Sequence, residues 1–281
     1  MQQSEGGELI ARPMAVTSTV AVWDVVCRGR TRHESEEETV DSTHLVFPYR
    51  GIYVHHVGHA HSVTEPNHVA FLNGHEHYRV SHPIEGGDAA LSIGVDTPTL
   101  LEMTPGEHLR RPDRAIFKPL RLPIGPQSQA QVATLRHGLD TGRMNALEAE
   151  TLTLTLIRGV LGERRSQALG KPGHSQKMVD KAKLVVSSDL GRRWTLSEIA
   201  DEVGASPVYL TGIFHRVVGM PLSRYQRRLR LARALHLLRD YEHVTDLALD
   251  LGFSSHSHFS AAFKEAYGRS PSEFQRTVGL R

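Results

Sequence analysis

The chain contains one cysteine, Cys27, among its 281 residues. One cysteine cannot form an intramolecular disulfide, and it also excludes cysteine-rich zinc sites and paired-cysteine redox centres. No apolar run approaches the roughly 18 residues that a membrane-spanning helix needs, so no membrane partner is expected. The first residues lack a basic segment followed by an apolar core, which would indicate export. These absences predict a protein of the reducing cytoplasm.

The chain has little net charge, +2 in total, but the charge is unevenly distributed. From Lys177 to the end there are 16 lysines and arginines against 11 acidic residues, which gives +5. The first 176 residues contain 17 basic and 20 acidic residues, which gives −3. A basic C-terminal part is typical of a domain that faces phosphates.

The length of the chain indicates two domains. Residues 1–15 have no periodicity, and we expect a disordered lead. From residue 16 to about 121, short apolar segments alternate with glycine and proline turns, which predicts a β-sandwich or small barrel. The predicted strands lie around Val20–Val26, His44–Phe47, Gly51–Val57, His68–Leu72, Tyr78–Ser81 and Ala89–Val95.

Helical spacing of apolar residues begins near Gln127 and continues to about Ser166, with a break at Thr141 and Gly142. We predict two antiparallel helices packed on the barrel. Gly170, Pro172 and Gly173 then indicate an interdomain linker over residues 167–175, followed by a helix over 176–189.

The C-terminal third contains an internal repeat. Residues 195–219 and 244–276 each show apolar residues at helical spacing, a glycine where a tight turn is needed, and a second helical segment. The glycines are Gly204 and Gly252. Two helix-turn-helix units in tandem are therefore predicted, joined by a long helix from Leu222 whose buried side includes Tyr225, Leu229 and Leu235.

The repeat resembles the DNA-binding domain of the AraC/XylS family of bacterial transcription regulators. The residues that carry the resemblance are Gly252, Phe253, Ser254, Phe259, Phe263, Gly268, Pro271, Phe274 and Arg276. The segment from Phe47 to Asp88 resembles, less specifically, the sensor half of one branch of that family. Its matching residues are Arg50-Gly51, Pro66-Asn67, His82-Pro83 and Gly86-Gly87-Asp88.

The resemblance implies an α+β protein with a cupin-like β-barrel and helical hairpin over residues 16–166, and an all-α DNA-binding domain over residues 176–281. It implies a regulator of transcription, more commonly an activator, whose partners are double-stranded promoter DNA, a small-molecule effector and RNA polymerase. Family members commonly dimerise through the two helices over residues 127–166. In the alternative interpretation, which is almost equally well supported, these helices only cover the sensor core.

The resemblance also places the DNA contacts. The first recognition helix is predicted over Pro207–Val217, with Ser206 as N-cap and Leu210, Ile213, Phe214 and Val217 buried. Its predicted DNA-facing residues are Val208, Tyr209, Thr211, Gly212, His215 and Arg216. The second helix is predicted over Ser255–Ala266, with DNA-facing residues Ser255, His256, Ser257, His258, Ser260, Ala261 and Lys264.

Two of these positions depart from the family pattern. In the first unit, Gly212 stands where a long polar side chain is frequent, which argues against direct base readout by this position. In the second unit, Ala261 stands where an arginine or another long side chain is frequent, so we expect that unit to act mostly through backbone contacts and DNA shape. Arginines 224, 227, 228, 230 and 233 lie on the connecting helix, where one or two of them contact phosphate or all of them form an ordinary solvated face.

The chain contains 18 histidines, several of them in one β-rich stretch. His59, His61 and Glu65 copy the spacing of a cupin metal motif, but the Pro66-Asn67 turn follows at once. We therefore predict no metal, no cofactor and no catalytic residue. His82 is expected to be structural or to line a pocket, and Cys27 to be buried in a strand. The competing hypothesis is a metal-dependent cupin enzyme with an appended DNA-binding domain.

Overall fold

The computed structural model describes residues 9–28, 33–162 and 174–279. The chain divides into two compact units. Unit 1 comprises residues 1–167 and 277–281, and unit 2 comprises residues 168–276. The predicted linker over 167–175 lies almost entirely outside the described residues. No helix of the described part is long and apolar enough to span a membrane.

Unit 1 combines antiparallel strands with helices. The strands are β1 (Leu9–Val16), β2 (Val20–Cys27), β3 (His44–Arg50), β4 (Tyr53–Val57), β5 (Ala60–Thr64), β6 (His68–Leu72), β7 (Arg79–Ser81), β8 (Asp88–Val95), β9 (Leu109–Arg111), β10 (Arg114–Phe117) and β11 (Arg121–Pro123). The helices are α1 (Thr97–Met103), α2 (Pro126–Asp140) and α3 (Ala146–Gly162).

The described strands form three sheets. The largest has six strands in the order β1-β2-β8-β3-β6-β11, the second has the order β5-β4-β7, and the third pairs β10 with β9. In the largest sheet β1 and β11 are the two edges and do not pair with each other. The mixed helix-and-sheet class is as predicted, but a closed cupin-like barrel is not confirmed.

The core of unit 1 lies between the large sheet and the helices. Strand β8 is buried along its whole length, because it pairs with β2 on one side and β3 on the other. Phe71 and Phe117 stack within this core with ring centroids 4.0 Å apart. Helices α2 and α3 contribute Leu135, Leu156 and Ile157 to the same core, so these helices do cover it.

Several predictions for unit 1 are wrong. Residues 9–15 are not a disordered lead but form most of β1, an exposed edge strand held by antiparallel pairing with β2. Pro48 does not end β3, because the register shifts between Pro48 and Arg50 and the strand continues past the proline. Strands β5, β9, β10 and β11 and helix α1 were not predicted, since most are short and show no alternation.

Unit 2 is built from helices in the described residues. They are α4 (His174–Ser188), α5 (Leu196–Val203), α6 (Pro207–Val218), α7 (Leu222–Leu237), α8 (Val244–Asp250), α9 (His256–Tyr267) and α10 (Pro271–Thr277). Pairs α5–α6 and α8–α9 are the two predicted helix-turn-helix units. Helix α7 connects them, and its predicted apolar side is buried.

Candidate nucleic-acid interface

The first helix-turn-helix unit is defined by its helix caps. Thr195 and Glu198 form a reciprocal capping box at the start of α5. Hydrogen bonds from Thr195, then from Arg192, lower the pKa of the exposed Glu198 carboxyl to about 2. Gly204 ends α5 in the left-handed region at φ 76°, and the Ser206 side chain accepts a hydrogen bond from the Tyr209 N–H to begin α6. These caps fix where the recognition helix starts.

One face of α6 anchors it in unit 2. Leu210, Ile213 and Phe214 are buried, and the Phe214 ring stands edge-on to Tyr225 of α7 with 5.3 Å between centroids. The predicted burial of Val217 is wrong, since Val217 is 36% exposed. Val218 packs against the core instead, because it continues the row of Leu210 and Phe214 at spacings of four.

The opposite face of α6 presents all six predicted residues to solvent. Val208 is 84% exposed and Tyr209 is 48% exposed, which is unusual for side chains of their size. Thr211, Gly212, His215 and Arg216 are exposed beside them. The hydroxyl of Thr211 donates a hydrogen bond to the carbonyl oxygen of Pro207.

The second recognition helix, α9, rests on aromatic residues. Phe259 contacts Phe253 and Phe263 with ring centroids 5.1 and 5.7 Å away, and Phe263 contacts Phe274 at 6.0 Å. Gly252 makes the turn before α9 at φ 75°. A side chain at Gly252 would overlap the carbonyl oxygen of Gly191. Both the positive φ and this close backbone approach therefore require glycine at the turn.

The exposed face of α9 carries small and aromatic polar side chains. Ser255 is the N-cap, and His256, Ser257, His258, Ala261 and Lys264 are exposed, whereas Ser260 is half-buried. His258 Nδ1 lies 3.0 Å from Ser254 Oγ, and His256 Nε2 lies 3.4 Å from Ser260 Oγ. Lys264 is the one residue of the predicted α9 set with a permanent positive charge.

The arginines of α7 differ in their burial and in their hydrogen bonds. Arg230 is half-buried and donates hydrogen bonds to three carbonyl oxygens, those of Leu190, Arg192 and Gly252, at 2.7, 2.7 and 3.2 Å. Burial, followed by the nearby Arg193 charge, lowers its pKa. Arg230 thus connects the segment before α5 to the turn before α9. Arg224 is exposed.

This arrangement of two helix-turn-helix units matches known proteins. A model described as a helix-turn-helix domain matches residues 199–277. The chain is similar to the HTH-type transcriptional activator AarP of Providencia stuartii, at 35% identity over 91 residues that cover 32% of this chain and 67% of AarP. The chain belongs to the AraC/XylS family of transcriptional regulators.

Other AraC/XylS-type matches are more partial. The transcriptional activator RhaR of Klebsiella pneumoniae is 28% identical over 152 residues, which cover 53% of this chain and 52% of RhaR. The chain thus spans about half the length of RhaR. A solved AraC-type regulator structure from Chromobacterium violaceum is 28% identical and covers 37% of this chain and 94% of its own, with a TM-score of 0.35.

In this AraC/XylS-family chain, the cupin-like metal motif does not assemble. His59 lies exposed in the turn between β4 and β5, and His61 is half-buried on β5. Glu65 is fully buried, and its Oε1 lies 2.6 Å from His68 Nδ1 while its Oε2 accepts a hydrogen bond from the Asn67 N–H. The carboxylate is therefore engaged in its own turn and does not face the two histidines.

Cys27 and His82 lie close together in unit 1. Cys27 is half-buried at the end of β2, so the prediction of a buried strand cysteine is wrong. His82 is buried, and its Nε2 lies 2.6 Å from Asp88 Oδ1. Within the described residues, the one group of three or more side chains arranged as metal donors comprises Cys27, His82 and Asp88. Sequence spacing alone did not indicate it, because three separate elements contribute.

Proposed function

We propose that this chain is a sequence-specific DNA-binding regulator of transcription that activates its target promoters. The observation that carries the proposal is the pair of helices α6 and α9, each anchored by a buried apolar face and each presenting an exposed face within one compact unit. In a helix-turn-helix protein the second helix enters the major groove, so two such helices contact two groove segments. The similarity to transcriptional activators supports activation.

The exposed faces of α6 and α9 fit different kinds of contact with DNA. Val208 and Tyr209 suit apolar contact with thymine methyl groups, and Thr211 and His215 suit hydrogen bonding to base edges. Arg216 and Lys264 suit phosphates, where each contact adds affinity and salt dependence without sequence information. Small residues such as Ser257 and Ala261 permit close approach of α9 to the duplex.

The remaining parts of the proposal concern unit 1 and the assembly. Unit 1 is proposed as the sensor domain, with a cupin-like arrangement that binds a small-molecule effector. The homodimer contact is proposed on α2 and α3, and RNA polymerase as the partner in activation. A cytoplasmic location stays a prediction.

The test is binding of the full-length chain to the DNA upstream of its own reading frame, titrated at several salt concentrations. We expect specific binding that survives competitor DNA. Arg216→Ala should weaken binding to all sequences and reduce the magnitude of the salt slope by about 1, whereas Thr211→Ala should also relax base preference. Arg111→Ala, an exposed arginine substitution on β9 and outside the proposed dimer helices, is the matched control and should change neither quantity.

Two outcomes would contradict the proposal. One is binding that shows no preference for any DNA sequence across the full salt range, with and without candidate effectors. The other is equal loss of binding in Arg216→Ala and Arg111→Ala. A promoter-reporter fusion then measures activation, and sedimentation of the free chain measures the dimer.

A further inference from the structure

Three side chains with different donor atoms meet at one end of the large sheet. Cys27 is the last residue of β2 and Asp88 is the first residue of β8, and the two are directly paired in the antiparallel register. His82 follows β7 and approaches from the adjoining loop. The thiol sulfur, an imidazole nitrogen and a carboxylate oxygen all lie within 4.8 Å of one another.

The backbone around this cluster is tightly constrained. Gly87 has φ 62°, and a side chain there would overlap the carbonyl oxygen of Cys27. A side chain at Gly51 would in turn overlap the carbonyl oxygen of Gly87. Close approach of three backbone segments therefore holds Asp88 against the end of β2, so the donors are positioned before any ligand arrives.

The cluster is largely enclosed. The His82 and Asp88 side chains are 6% and 11% exposed, and Cys27 is half-buried. His82 Nε2 lies 2.6 Å from Asp88 Oδ1. Cys27 is therefore the most exposed of the three residues.

The donor set selects the class of ion. Thiolate sulfur and imidazole nitrogen are ligands of zinc and related transition metals, whereas calcium and magnesium require oxygen ligands. Zinc bond lengths of about 2.0–2.3 Å place tetrahedral ligand atoms roughly 3.3–3.7 Å apart, within the spacing of this cluster. The 2.6 Å hydrogen bond between His82 and Asp88 would open as the metal replaces its proton.

We propose that Cys27, His82 and Asp88 bind one Zn²⁺ ion, with a fourth position open to water or to another donor. Zinc binds the thiolate form of cysteine and the neutral form of histidine, so binding at this site is coupled to pH. The ion would join the end of β2, the start of β8 and the loop after β7. The proposal concerns unit 1 alone and does not depend on DNA binding.

The test uses Co²⁺ as a spectroscopic substitute for Zn²⁺. The full-length chain without a histidine tag is stripped with a chelator, reduced and titrated with Co²⁺. We expect one equivalent to produce the charge-transfer absorption of a cobalt–thiolate bond and the visible bands of tetrahedral cobalt, both of which Zn²⁺ then abolishes. Cys27→Ser should remove the charge-transfer band. His82→Gln and Asp88→Asn should each weaken binding at least about tenfold, the lower limit for loss of an outer-shell partner.

Controls separate this site from other histidines and from unfolding. His59→Gln and His61→Gln lie on the β4–β5 hairpin outside the cluster and should leave the titration unchanged. Far-ultraviolet circular dichroism shows whether each variant is folded. His82→Cys should restore cobalt binding with a stronger charge-transfer band, because it replaces nitrogen by a second thiolate. If the hydrogen bond between His82 and Asp88 were only structural, His82→Cys would not strengthen the charge-transfer band.

The proposal is overturned by absence of a one-equivalent thiolate band in the folded wild-type chain. It is equally overturned if the band persists in folded Cys27→Ser, or if His59→Gln and His61→Gln remove it.

Discussion

The imidazole of His55 stands edge-on to the ring of Tyr78, with 5.5 Å between ring centroids and 71° between the ring planes. His55 is 1% exposed, and among the described residues neither of its ring nitrogens has a hydrogen-bond partner. Burial lowers its pKa to about 4, and this effect exceeds the opposing influence of Glu76. The ring is therefore neutral in the folded protein at pH 7.

The burial of His55 predicts that the stability of the protein decreases in acid. The pKa of His55 falls from 6.5 in the unfolded chain to about 4 in the fold, so the unfolded chain takes up the proton first and stability decreases as pH falls from 6.5 to 4. The decrease should not exceed about 3 kcal/mol. His55→Leu should reduce the slope of unfolding free energy against pH in that window, as measured by urea denaturation. The exposed His59→Gln is the control, and identical slopes in wild type and His55→Leu would refute the assignment.

Replacement of Gly212 by alanine is expected to stabilise the protein. It lies exposed within α6, and an added Cβ would meet no atom within 4 Å. Gly212→Ala should raise the free energy of unfolding of the chain by about 0.5–1 kcal/mol, because alanine loses less conformational entropy in a helix. Thermal and urea unfolding measure the change.

The matched control for that substitution is Gly204→Ala. Gly204 has φ 76° at the end of α5, where alanine is strained, so this variant should be less stable by about 1 kcal/mol or more. Equal effects of the two substitutions would show that α6 does not have the helical geometry described.

Substitution of Arg230 is expected to lower the stability of the protein. Its three hydrogen bonds to carbonyl oxygens are partly exposed, so Arg230→Ala should lower the free energy of unfolding by about 1–3 kcal/mol. Arg224→Ala, from the exposed side of the same helix, should change stability by less than about 0.5 kcal/mol. If Arg230→Ala is as stable as Arg224→Ala, the three hydrogen bonds do not form in solution.

Ala261 predicts a gain in DNA affinity. Because Ala261 is exposed on the proposed DNA face of α9, Ala261→Arg should tighten binding and steepen the dependence of log K on log salt by about 1. Electrophoretic mobility shift or fluorescence anisotropy at several salt concentrations measures this. Ala60→Arg, at an exposed position at the start of β5 and outside the proposed dimer helices, adds the same charge in unit 1. An equal increase in affinity from both variants would mean that an added positive charge strengthens DNA binding wherever it lies on the chain.

The helices of unit 2 were predictable because each one is specified locally. Ser206 caps α6 as predicted, and Gly204 and Gly252 fall at the predicted turns. Ser255, predicted as the first residue of the second recognition helix, is instead its N-cap. Val217 was misassigned because a stripe of apolar residues does not fix which of two neighbours, Val217 or Val218, faces the core near a helix end. One residue corresponds to a rotation of about 100° in a helix.

Unit 1 was less predictable because its structure depends on pairing between distant segments. Strand β1 contains Pro13 and has little alternation, so only its pairing with β2 makes it a strand. The donor group of Cys27, His82 and Asp88 arises from the pairing of β2 with β8 and from a loop 55 residues beyond Cys27 in sequence. Arg230 was recognised as basic, but a sequence does not show that its charge is directed at carbonyl oxygens rather than outward.

The three acceptors of Arg230 belong to both helix-turn-helix units, because Leu190 and Arg192 precede α5 and Gly252 lies in the turn before α9. A substitution that shifts the segment before α5, or the turn at Gly252, therefore disturbs hydrogen bonds on which the other helix-turn-helix unit also relies. The separation between the two helices is for this reason difficult to change by single mutations. New DNA targets are more accessible to evolution through exchange of exposed side chains on α6 and α9, with the spacing between the two half-sites held constant.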